Sequence, residues 1–83
     1  MTTQTYEGWK KRGTWNCALW IHNQYALYKK ACYFMAGYEG KDPYRDFIRW
    51  MGLVNGRTPD NFKWMGTRLS YSELNMMMKQ LLT

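Results

Sequence analysis

From Gly13 onward the chain alternates apolar runs and small polar clusters at helical spacing. Winding "TWNCALWIHN" at about 100° per residue sets Trp15, Cys17, Ala18, Leu19, Trp20 and Ile21 around most of the axis, leaving a narrow stripe for Asn16 and Asn23. So apolar a helix belongs at the centre of a fold. The pattern predicts a helix over 14–22 with Thr14 as N-cap, and a break near His22 and Asn23. Over 24–36 the pattern is one-sided: Leu27, Tyr28, Ala31, Cys32, Phe34 and Met35 share one face, Lys29, Lys30 and Tyr33 the other. "GYEGKD" ends this helix, and Asp42 followed by Pro43 starts a third over 43–51. There Tyr44, Phe47, Ile48 and Met51 recur on the inner face while Arg45, Asp46 and Arg49 point away, until Gly52 stops the helix.

Residues 53–69 contain Asn55-Gly56, Pro59-Asp60 and Gly66, turn signals separated by runs too short for a helix. We expect an ordered loop pinned by Phe62 and Trp64, with no more than a bridge or two of strand. "SYSE" then places Ser70 and Glu73 at capping-box spacing, opening a helix over 71–82 with Leu74, Met77, Met78 and Leu81 inside. The predicted architecture is all-α: one domain over 1–83, a compact bundle of about four short helices with one aromatic-pinned loop, preceded by a loosely held arm over 1–8. Its expected core is Trp15, Leu19, Trp20, Leu27, Phe47, Ile48, Trp64, Leu74 and Met77.

Composition changes this picture in two respects. A chain of 83 residues needs a dense core, and five Trp, seven Tyr and three Phe supply bulk economically. Twelve Lys and Arg against six Asp and Glu give a net charge of +6, which favours an acidic partner and argues against a DNA mimic. Cys17 and Cys32 fall inside helical patterns with nothing like a secretory signal before them, so both are expected as reduced core thiols. No apolar run approaches the ~20 residues of a membrane span. The expectation is a cytoplasmic chain with no membrane partner.

Candidate chemistry is sparse. His22, the single histidine, reads as an imidazole bonded to backbone, and two well-separated cysteines do not complete a metal-binding pattern. The six carboxylates are scattered over loops and helix starts, and no glycine-rich loop joins a strand to a helix. We therefore expect no enzyme, no catalytic residue, no metal and no cofactor. What remains is basic residues interleaved with aromatics: Lys10, Lys11 and Arg12 beside Trp9; Lys29, Lys30 and Tyr33; Arg45, Arg49 and Trp50; Arg57, Lys63 and Arg68.

The stretch "YEGWKKRGTWNCALWIHNQYALYKKA" resembles a family of small uncharacterised proteins of phages, other mobile elements and some prokaryotic genomes, whose hallmark runs close to W-x-N-x-E-T-W-N-V-x-L-W-I-x-N-D-E-x-L-Y. Trp9, Thr14, Trp15, Asn16, Leu19, Trp20, Ile21, Asn23, Leu27 and Tyr28 carry the resemblance, and "RTPDNFKWMGTRLSYSELNMMMKQL" extends it. Gly13, Gln24, Tyr25 and Asn61 depart from the family's usual Glu, Asp, Glu and Gly, making this member more basic. The resemblance implies a phage or prophage setting without implying a reaction. Asn16 and Asn23, amides that are costly to bury unpaired, are expected to bond backbone of the 53–69 loop or a neighbouring helix start.

In that setting, a small chain without catalytic groups is expected to act by stoichiometric binding. The leading expectation is a phage or mobile-element accessory protein that inhibits a host defence complex, in the manner of an anti-CRISPR, by binding a host protein or ribonucleoprotein with an acidic surface. The alternative is a small basic nucleic-acid or nucleotide-binding protein, and a third reading is a phage component that self-associates. The expected binding surface is the outward side of the middle helices: Arg45, Arg49, Trp50 and Tyr33 as anchors, with Lys29 and Lys30 steering the partner.

Overall fold

A computed structural model describes residues 11–81, and the expected arm over 1–8, Trp9, Lys10 and the predicted helix end at Leu82 lie outside the described residues. Four helices form at nearly the expected places: α1 (Arg12–Asn23), α2 (Tyr25–Ala36), α3 (Pro43–Met51) and α4 (Tyr71–Gln80). The fold is an all-α bundle. α1 packs against α2 and α4, α4 also carries α3, and α2 leans on α3 and α4.

α1 begins at Arg12 because the Trp15 N–H already reaches Lys11 O at 3.0 Å. Thr14 therefore lies inside the first turn rather than capping it, and its Oγ1 accepts the Ser70 N–H at 2.8 Å. The buried row of α1 is Thr14, Cys17, Ala18 and Ile21, spaced i, i+3, i+4, i+7, with Asn16 beside it. Trp15, Leu19 and Trp20, expected at the centre, are only partly buried. Small residues on the inner row let α1 approach its neighbours closely, and the bulky indole of Trp20 keeps to the flank, where its N–H finds a polar partner. Leu27 is likewise partly buried, whereas Phe47, Ile48, Trp64, Leu74 and Met77 are core as expected.

The break between α1 and α2 is made by one extended residue. The Gln24 backbone N–H bonds Trp20 O at 3.0 Å, while its Oε1 accepts the Leu27 N–H at 3.2 Å, so Gln24 ends one helix and starts the next. Asn23, expected at that break, is simply the last residue of α1 and is exposed. α3 ends at Gly52, whose left-handed φ of 74° favours a residue without a Cβ, and the Leu53 N–H closes back on Ile48 O at 3.0 Å.

Two expected side-chain caps do not form. Asp42 does not cap its own helix; instead Asn75 of α4 accepts the Tyr44 N–H at 2.9 Å and donates to Asp42 Oδ1 at 3.0 Å, fastening α4 to the start of α3. Ser70 makes no side-chain cap on α4. Its hydroxyl is turned toward Ser72 Oγ at 3.4 Å, so the expected capping box is not closed from that end.

The 53–69 loop is ordered, as its turn signals predict, with one antiparallel bridge between Arg57 and Lys63. Trp64 is buried, its carbonyl accepts the Tyr44 hydroxyl at 2.6 Å, and Phe62 is partly covered. Asn61 holds φ of 74°, a left-handed position that Asn tolerates better than other non-glycine residues.

Candidate functional site

The most exposed aromatic surface is built by α2 and the end of α3. Tyr25, Lys29 and Tyr33 recur every four residues along the outer side of α2, with Lys30 beside them. Trp50, in the last turn of α3, rests its inner side on Phe34 and Phe47 at ring separations of 5.3 and 6.1 Å. Its other neighbour is Tyr33, stacked at 6.2 Å with the planes 30° apart. Tyr25 is 72% exposed, Tyr33 75% and Trp50 50%, so these rings present faces to solvent rather than only to the core. Lys29 Nζ lies 5.3 Å from the Tyr25 ring centre. Together with Ala26 and Lys30 they line a shallow, largely apolar groove with no carboxylate in its lining.

Of the six residues expected at the binding surface, the fold thus gathers Tyr33, Trp50, Lys29 and Lys30. Arg45 and Arg49 sit differently. Arg45 Nη1 pairs with Asp42 Oδ2 at 2.6 Å, and its guanidinium lies 3.8 Å from the Tyr71 ring centre, against the start of α4. Arg45, expected to point away from the fold, instead ties the first turns of α3 and α4 together. Arg49 pairs with Asp46 Oδ1 at 3.0 Å and remains largely exposed. Asp46 in turn accepts the Tyr38 hydroxyl at 2.6 Å. Desolvation pushes the Asp42 carboxyl up, but hydrogen bonds from Arg45 and Asn75 and the charges of Arg45 and Arg49 outweigh it and hold Asp42 below its ordinary value.

Tyr25 joins this surface without having been singled out in the sequence. Its signal was the four-residue spacing to Lys29 and Tyr33, extended one turn toward the start of α2.

A polar knot joins α1 to the long loop. Asn16, nearly fully buried, donates to Asp60 Oδ2 at 2.8 Å and accepts from Thr58 Oγ1 at 2.6 Å, while Trp20 Nε1 donates to the same Asp60 oxygen at 2.9 Å. The donors of Asn16 and Trp20, with help from the Arg12 charge, hold the Asp60 carboxyl below its ordinary value against its desolvation. The expectation for Asn16 is met by the loop as a whole, but through side chains rather than backbone. Such a knot serves structure: its donors and acceptors are satisfied by one another.

Neither cysteine is in a disulfide. Cys17 is buried, with its Sγ 3.4 Å from Lys63 O, and burial pushes the thiol up to about 11. Cys32 is only partly buried, correcting its placement in the core, because α2 is covered mainly along the Ala31 and Met35 row. His22 is exposed with Nδ1 3.1 Å from Ala18 O, a local backbone contact. Among the described residues no group of three His, Cys, Asp or Glu is placed to hold a metal ion, and no helix is long and apolar enough to cross a membrane.

The sequence model of a family of unknown function, DUF7249, matches residues 2–83. The chain belongs to this family. No curated protein and no solved structure matches it. Membership in DUF7249 fixes common ancestry over almost the whole chain, and the chemistry must be read from the surfaces themselves.

Proposed function

We propose that this DUF7249 protein is a stoichiometric binding module that docks an acidic protein surface on the Tyr25, Tyr33 and Trp50 face. The observation that carries this reading is the stacked pair of Tyr33 and Trp50, brought together from two helices and left half or more exposed beside Lys29 and Lys30. Aromatic rings held in place by the fold bury area with little loss of side-chain freedom, which is why they dominate interface energetics. Lys29 and Lys30 make no ion pair among the described residues, so their charge is available to attract an acidic partner. The phage setting implied by the sequence resemblance makes a host defence complex the first target to test, with this chain as its inhibitor.

A pull-down from host lysate, with and without nuclease, tests the reading. The parent is expected to retain a nuclease-resistant protein, and Tyr33→Ala with Lys29→Glu and Lys30→Glu is expected to lose it while melting close to the parent. Retention by the triple variant, or loss of every partner on nuclease treatment, overturns the proposal. The second outcome would favour direct nucleic-acid binding.

A further inference from the structure

A separate surface gathers three cations that make no ion pair among the described residues. Arg57, Lys63 and Arg68, brought together by the turns of the 53–69 loop, line a cleft of about 290 Å³ with Gly13, Gly66 and Phe62. Lys63 and Arg68 make no ion pair or side-chain hydrogen bond among the described residues, and Arg57 donates only to Asn61 O, at 3.0 Å. The carboxylate of this loop, Asp60, is not in the lining; its Oδ2 is taken by Asn16 and Trp20. A fourth cation, Arg12, lies over the Phe62 ring at 5.6 Å. α1 presents its first turn at Gly13 with no acidic residue and no side-chain cap, so the positive end of the helix adds to the same field.

Like charges repel, and three of them around a concavity with no internal counter-ion make a site whose charge is balanced only when an anion enters. Two guanidinium forks beside an ammonium suit an oxyanion with several acceptor atoms and more than one negative charge, which describes phosphate better than a single carboxylate. The cleft is at the small end of ligand-site volumes, too small for a folded partner. We infer that the Arg57–Lys63–Arg68 cleft binds the phosphate group of a nucleotide, either free or at a nucleotide of a single strand. This inference uses none of the residues of the proposed protein-binding face, so either can fail alone.

The test is titration of the full chain, followed by backbone amide NMR shifts, with three probes: inorganic pyrophosphate, adenosine monophosphate and an oligothymidylate of about eight nucleotides. At least one probe is expected to bind saturably, shifting the amides of Gly13 and Gly66. Lys63→Glu with Arg68→Glu is expected to weaken that binding by about tenfold or more, whereas Lys29→Glu with Lys30→Glu leaves it within about twofold. If the double reversal at the cleft fails to fold, Arg68→Gln, a neutral change at an exposed side chain, is expected to weaken binding measurably in its place. Tighter binding of the oligomer than of the mononucleotide assigns the site to single strands; equal or weaker binding assigns it to free nucleotides. Absence of saturable binding by all three probes overturns the inference, as does equal weakening by the reversals on the two faces.

Discussion

Asn16 Nδ2 donates to Asp60 Oδ2 at 2.8 Å across 44 positions of sequence, joining the long loop to α1. Thr58 and Trp20 complete the arrangement, so that the stretches "TWNCALW" and "RTPDNFKW" are two halves of one contact. Asn16→Ala removes the acceptor of a buried hydroxyl as well as a donor to Asp60, which costs about 1–3 kcal/mol. For a domain of this size that lowers Tm by roughly 4–8 °C per kcal/mol. Asn16→Asp keeps an acceptor for Thr58 but opposes Asp60 with a second carboxylate. Thermal melts should show it less stable than the parent at neutral pH, with the difference shrinking as acid neutralises one member of the pair.

Arg45 and Arg49 look equivalent in sequence and are not equivalent in the fold. Arg45→Glu breaks the pair with Asp42, places like charges side by side and removes the cation from the Tyr71 ring. Its Tm is expected to fall clearly below that of Arg49→Glu, which loses an exposed pair and meets Asp46 only in well-solvated surroundings, and should melt within about 3 °C of the parent. Equal melting of the two variants would show that Arg45 does not join α3 to α4.

Burial of Cys17 makes stability sensitive to alkali. Its thiol titrates at about 11 in the fold against an ordinary 9.0, so the folded state favours the neutral form. That contribution is fully present below about pH 9 and is lost as pH rises toward 11, amounting to roughly 2–3 kcal/mol for a shift of this size. The measurement is the difference between parent and Cys17→Ala in denaturant melts from pH 8 to 11. The parent should lose more stability than the variant. Parallel curves would mean that Cys17 is not shielded as described.

The two thiols should also differ in rate. Cys32 is partly exposed and should react first with a thiol reagent at neutral pH, while Cys17 waits for the protein to open. Mass spectrometry of briefly labelled protein is expected to show modification at Cys32 ahead of Cys17. Labelling of both at one rate would point to a loosely packed α1.

The sequence by itself determined the helices, because helix formation depends on neighbours three and four residues apart and on punctuation such as Pro43, Gly52 and Asn55-Gly56. It also determined the inner faces of α3 and α4, where helical spacing gathers Phe47 and Ile48, and Leu74 and Met77, along one side. Hydropathy did not select the inner side of α1, since Trp15, Cys17, Ala18 and Trp20 are all apolar on different sides. Packing decided it, placing the small Cys17 and Ala18 where helices must come close. Asn75 as a cap for Tyr44, Asp60 as an acceptor for Asn16, and Asp42 with Tyr71 as partners for Arg45 were likewise decided in space. The same holds for both proposed sites. Tyr33 meets Trp50 only when α2 lies beside α3, and Arg57, Lys63 and Arg68 converge only once the loop has folded onto α1. Local backbone hydrogen bonding is written in adjacent residues, whereas the pairing of distant side chains follows from which surfaces bury together when the chain collapses.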